Sequence, residues 1–75
     1  MKTADELFGK LGYKKIQDDK NWVDYMKNNV NITFSLKYKR VEATRKYGDS
    51  FVSKMITCEE LQAIHKKCEE LKWIK

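Results

Sequence analysis

Val30-Asn31-Ile32-Thr33-Phe34-Ser35-Leu36-Lys37 alternates without a break. Val30, Ile32, Phe34 and Leu36 fall on one side, and Asn31, Thr33, Ser35 and Lys37 on the other. A period of two is the mark of a strand with one dry face and one wet face. A parallel strand buried on both faces would read as a continuous apolar run instead. The stretch therefore reads as the middle strand of an antiparallel sheet, with its even-numbered side turned to a core.

Working outward, Lys27-Asn28-Asn29 supplies a turn, because asparagine tolerates left-handed backbone angles. Before it, Trp22 to Met26 reads as a strand. Trp22 and Met26 share one face, with Ile16 from a weaker strand at Tyr13–Asp18 a candidate for the same side. Val23 and Tyr25 share the other face, and the pattern leaves open which of the two is buried. After the central strand, Tyr38-Lys39-Arg40 reverses the chain with poor turn chemistry. Val41 to Tyr47 follows, with Arg40, Glu42, Thr44 and Lys46 on its polar side. Gly48-Asp49 makes a two-residue hairpin loop. Phe51 to Met55 or Ile56 is the last expected strand.

Each end of the chain carries a helix signature. Thr3 with Glu6, and Thr57 with Glu60, both fit the capping box. Ala4, Leu7, Phe8 and Leu11 give the first helix an apolar face, and Gly12 stands where a left-handed terminal residue is wanted. In the second helix Leu61, Ile64, Cys68 and Leu71 give the expected buried stripe, with Ile56 and Leu61 as a staple. The helix is expected to end near Leu71 or Lys72, with Trp73 and Ile74 folding back. The result is a single α+β domain over residues 1–75. It is a two-layer sandwich, with an antiparallel meander sheet of four or five strands and an N-terminal and a C-terminal helix on one face.

Composition narrows the function. The chain has 75 residues, 41% hydrophobic and 36% charged, with no proline and three glycines. No apolar run approaches the roughly 20 residues of a membrane span, and the opening residues lack an apolar signal core. No membrane association and a cytoplasmic setting are therefore expected. Cys58 and Cys68 lie about 15 Å apart along one helix, beyond the roughly 7 Å that a disulfide permits. Two free thiols suit a reducing compartment.

The net charge of +5 is concentrated. Residues 27–54 hold seven basic side chains against Glu42 and Asp49, so the whole excess falls in the strand region. If one sheet face is open, Thr33, Ser35, Lys37, Lys39, Arg40, Thr44, Lys46 and Lys54 form a candidate nucleic-acid surface. Such residues are also ordinary on any wet sheet. The outward positions of the central strand carry no aromatic platform for single-stranded nucleic acid. His65, Cys58 and Cys68 are too few and too badly spaced for a structural zinc site, so no metal or cofactor is expected. Asp18, Asp19, Asp24 and Asp49 fall in or near turns, and no nucleophile–base or phosphate-loop motif is present. The expectation is no enzymatic activity. Trp22, Tyr25, Tyr38, Tyr47 and Trp73 are many aromatics for this length, and exposed ones anchor interfaces.

Met1-Lys2-Thr3-Ala4-Asp5-Glu6-Leu7-Phe8, Leu11-Gly12-Tyr13, Ile56-Thr57-Cys58-Glu59-Glu60-Leu61-Gln62-Ala63-Ile64 and Cys68-Glu69-Glu70-Leu71-Lys72-Trp73 resemble a group of small uncharacterised proteins from phages, prophages and mobile elements of Firmicutes. The likeness covers both ends of the chain and transfers no site residues. It implies a small accessory protein in a bacterial cytoplasm. The functional expectation is a protein-interaction module with an unknown protein partner, as a monomer or weak dimer. Nucleic-acid binding through the basic sheet face is the alternative.

Overall fold

The computed structural model describes residues 2–74. In chain order the elements are α1 (Ala4–Lys10), β1 (Lys14–Asp18), β2 (Trp22–Lys27), β3 (Val30–Ser35), β4 (Arg40–Tyr47), β5 (Ser50–Ser53) and α2 (Cys58–Glu70). The strands form one antiparallel meander in the order β1-β2-β3-β4-β5, with β3 in the middle. Both helices pack on one side of it.

The two-residue turns set the register. Asn28 takes φ 53, and the loop it opens pairs Lys27 with Val30, Tyr25 with Ile32 and Val23 with Phe34. Gly48, at φ 57, opens the loop that pairs Tyr47 with Ser50 and Lys46 with Phe51. Because side chains alternate, these pairings decide what lies together on each face. Val23–Phe34–Val41 and Lys15–Tyr25–Ile32–Ala43 form rows on the helix side. The ambiguity in β2 is thereby settled: Val23 and Tyr25 are buried, and Trp22, Met26 and Ile16 are exposed.

Phe8 joins the helix layer to the sheet. Its ring stacks on Tyr25 at 4.0 Å between centroids and meets Tyr13 and Phe34 edge-on at 5.7 and 6.2 Å. Such pairs contribute about 0.5–1.5 kcal/mol each beyond area burial. The Tyr25 hydroxyl donates to Asp5 in the first turn of α1. Lys15 donates to Asp5 at 3.0 Å and pairs with Asp18 at 2.9 Å. The Tyr25 hydrogen bond outweighs the cost of burial and, with Lys15, holds the Asp5 carboxyl below its ordinary range.

Both capping boxes form, on Thr3 with Glu6 and on Thr57 with Glu60. Both helices close with paired 6→1 and 5→2 bonds. In α1 the Tyr13 amide donates to the Phe8 carbonyl across Gly12, which sits at φ 94. In α2 the Trp73 amide donates to the Cys68 carbonyl across Lys72 at φ 62. The reversal lays Trp73 against Phe34, 6.3 Å between centroids, as the sequence predicts for Trp73; Ile74 stays exposed.

Four expectations change. β3 stops at Ser35, because the reversal occupies residues 36–39 and Lys39 takes φ 54 to make it. β5 covers only Ser50–Ser53. The buried residues of α2 are Glu60, Ala63, Ile64 and Lys67, with Cys68 and Leu71 packed at the margin of the core, so the expected stripe holds at Ile64, Cys68 and Leu71 and widens toward Glu60 and Lys67. Leu61 lies outside it, 57% exposed, and Ile56 is exposed as well.

Candidate functional site

The face of the sheet away from the helices has no covering layer. Its side chains lie in rows fixed by the register: Trp22–Ser35–Arg40, then Asp24–Thr33–Glu42, then Met26–Asn31–Thr44–Ser53, and Lys46–Phe51. Of the residues proposed as a basic surface, Thr33, Ser35, Arg40, Thr44 and Lys46 share this face. Lys37 and Lys39 stand in the adjoining β3–β4 turn. Lys54 does not belong here. It follows β5 on the helix side, where its amine pairs with Glu60 at 2.7 Å. Ser53 holds the corresponding open-face position, opposite Thr44.

The middle of this face is not basic. Asp24 accepts from Thr33 Oγ1 at 2.9 Å and from Asn31 Nδ2 at 3.2 Å, and Glu42 stands beside Thr33. Positive charge gathers at one corner instead. Lys37 Nζ and Arg40 Cζ lie 5.3 and 5.5 Å from the centroid of the Tyr38 ring, within cation–π range. Trp22, Thr33, Ser35, Tyr38, Arg40 and Glu42 together line a cavity of about 250 Å³ at this corner. Ser35 is 8% exposed, and its hydroxyl has no hydrogen-bond partner among the described residues.

The apolar part of the face was left open by the sequence for Trp22 and Ile16 and missed for Phe51. Phe51 is 62% exposed, Ile16 52% and Trp22 42%. β3 itself carries no outward aromatic, as expected, but the neighbouring elements bring Trp22, Tyr38 and Phe51 around it. The Asn28-Asn29 and Gly48-Asp49 loops held the missing signal. A two-residue turn fixes which residues oppose each other, so it places Trp22 beside Ser35 and Phe51 beside Lys46.

On the helix side a second polar cluster sits under the start of α2. Glu60 is buried and accepts from the Tyr13 hydroxyl, from Lys54 Nζ at 2.7 Å and from the Thr57 amide at 2.9 Å. Burial alone would raise its pKa, but Lys54, Tyr13 and Thr57 outweigh it and hold the carboxyl at about 2. Burial and then the Glu60 hydrogen bond raise the Tyr13 phenol above its ordinary value. These residues line a groove of about 520 Å³ with Lys27, Arg45 and Tyr47. The Lys54 and Glu60 charges are matched to each other, so the cluster clamps α2 to the sheet end.

The β4–β5 hairpin is the third notable surface. Coverage by the helices fades along β4: Val41 and Ala43 are half-buried, and Arg45 and Tyr47 are exposed. All four residues of β5 are exposed. Val52 is 43% exposed on the helix side, and Met55 just beyond is 91% exposed. Tyr47, Val52 and Met55 line one shallow cavity together. β5 also forms a sheet edge, pairing on one side with β4.

The remaining candidates have local roles or none. Asp19 accepts from the Gln17 side chain and from the amides of Asn21 and Trp22, which hold its carboxyl below the ordinary range and shape the β1–β2 turn. Cys58 is exposed, and burial raises the half-buried Cys68 thiol. Among the described residues no group of three His, Cys, Asp or Glu side chains could hold a metal ion, and no helix is long and apolar enough to cross a membrane. The chain matches no protein-family model, no curated protein and no solved structure.

Proposed function

We propose that the protein is a small non-enzymatic interaction module that docks a partner protein along the β5 edge. One observation carries this reading. β5 is an edge strand with exposed apolar side chains on both of its faces, Phe51 on one and Val52 on the other. Stable monomers blunt such edges with short strands, charge, proline or a covering element; β5 is short, at four residues, but holds neither charge nor proline. Here the edge runs instead into Met55 and Ile56, which are exposed too. A free edge flanked by apolar side chains is the arrangement that accepts an added strand: the backbone supplies hydrogen bonds and alternate side chains supply selectivity. The resemblance of the chain ends to phage and mobile-element proteins points to a host or phage protein as the partner.

The test is photo-crosslinking in a bacterial lysate. A photoreactive residue replaces Val52 in one protein and the exposed Gln62 of α2 in another. A discrete product from position 52 that position 62 does not yield supports docking at the edge. No product at position 52, or the same products from both positions, defeats it.

A further inference from the structure

The cavity at the corner of the open face is a second surface, distinct from the β5 edge. We infer that it takes one base of a single-stranded nucleic acid. Four features converge there. Trp22 and Tyr38 offer exposed aromatic surface on which a base can stack, a contact tolerant of sequence because every base has a π-face. Lys37, Lys39 and Arg40 stand in or beside the same turn and supply charge for the adjoining phosphates.

The third feature is Ser35. Its hydroxyl is buried in the row between Trp22 and Arg40 without a partner among the described residues. A buried polar group left unpaired costs free energy, and Ser35 forms part of the cavity wall. The fourth is Glu42, on the cavity wall one row away. A carboxylate repels phosphate but accepts from an exocyclic base amine, as acidic side chains do from cytosine. The cavity thus separates two roles: the acid faces the base, and the cations in and next to the turn face the backbone. At about 250 Å³ it lies below the usual range for drug-sized ligands, which fits a single base better than a larger molecule. The missing base-stacking platform of the central strand is supplied by β2 and the β3–β4 turn.

The experiment is fluorescence anisotropy of labelled oligonucleotides of about ten residues, with oligo-dC, oligo-dT, a duplex and a free cytidine nucleotide as competitors. Oligo-dC is expected to bind most tightly. With three cations engaged, log affinity should fall against log salt with a slope of about −2. Trp22→Ala should weaken binding by about tenfold or more, and Arg40→Gln should flatten the salt slope by about 0.7. Tyr38→Ala is a second variant at an exposed position, and circular dichroism reports whether each variant is folded. Absence of binding by the folded wild type overturns the inference. So does binding that survives both aromatic substitutions, a duplex that binds more tightly than the single strands, or a free nucleotide that binds as tightly as the oligonucleotide. Crosslinking from position 52 is independent of every one of these outcomes.

Discussion

Ile32 and Val52 are both β-branched residues on the helix side of the same sheet. Ile32 is fully buried, whereas Val52 is 43% exposed. The difference is one of cover. A seven-residue and a thirteen-residue helix roof β2, β3 and the first half of β4, and the roof stops there. Under it, aromatic rings interlock and buried polar groups find partners: Tyr25 with Asp5, and Tyr13 and Lys54 with Glu60. Beyond it, Tyr47, Phe51, Val52 and Met55 stand in solvent. In a chain with so little apolar surface to bury, these side chains lie outside the core and form the surface on which the proposed docking rests.

Substitutions on either side of the roof separate the two regions. Phe34→Ala removes the ring that joins Phe8, Tyr25 and Trp73. It should cost about 3–5 kcal/mol, a large part of the stability of a domain this size, and urea unfolding would show it. Glu60→Gln should cost about 3 kcal/mol at neutral pH. The folded Glu60 carboxyl titrates at about 2, below its ordinary 4.5. Its contribution is therefore fully present above about 4.5 and lost as pH falls through about 2. The stability gap between wild type and variant should close over that window, and a gap that stays constant down to pH 2 would refute the clamp. Lys72→Gly relieves a left-handed lysine at the end of α2 and should raise stability by about 1 kcal/mol, or about 4–8 °C in Tm. Phe51→Ser with Val52→Thr should change stability by no more than about 0.5 kcal/mol, as for surface substitutions. A much larger loss would mean that the hairpin belongs to the core after all.

The parts of this structure that local rules decide were legible in the sequence. The alternation in β3, the two capping boxes, Gly12 at the end of α1 and the meander itself all follow from nearest-neighbour patterns. What local pattern could not decide was a choice between two apolar faces. In β2, Trp22 and Met26 compete with Val23 and Tyr25 on equal terms, and only the hairpin register carries Tyr25 beneath Phe8 and toward Asp5. In α2, Ile64, Cys68 and Leu71 follow the apolar pattern to the core, but Glu60 and Lys67 are buried against their polarity and Leu61 is exposed against its own. Lys54 was misplaced because its partner is this buried carboxylate. The candidate basic surface was half legible: its residues do share a face or its adjoining turn, except for Lys54, but the aromatics that complete it come from neighbouring elements. The extent of the roof was not legible at all, since it depends on where the helices lie across the strands.

Amide hydrogen exchange, resolved residue by residue in dilute protein, tests the central contrast most directly. Ile32 and Phe34 are expected to exchange only through global unfolding, while the Ser50–Ser53 amides exchange by local opening and orders of magnitude faster. Equal protection of β3 and β5 at high dilution would contradict this, because β5 would then be part of the core and not a free edge.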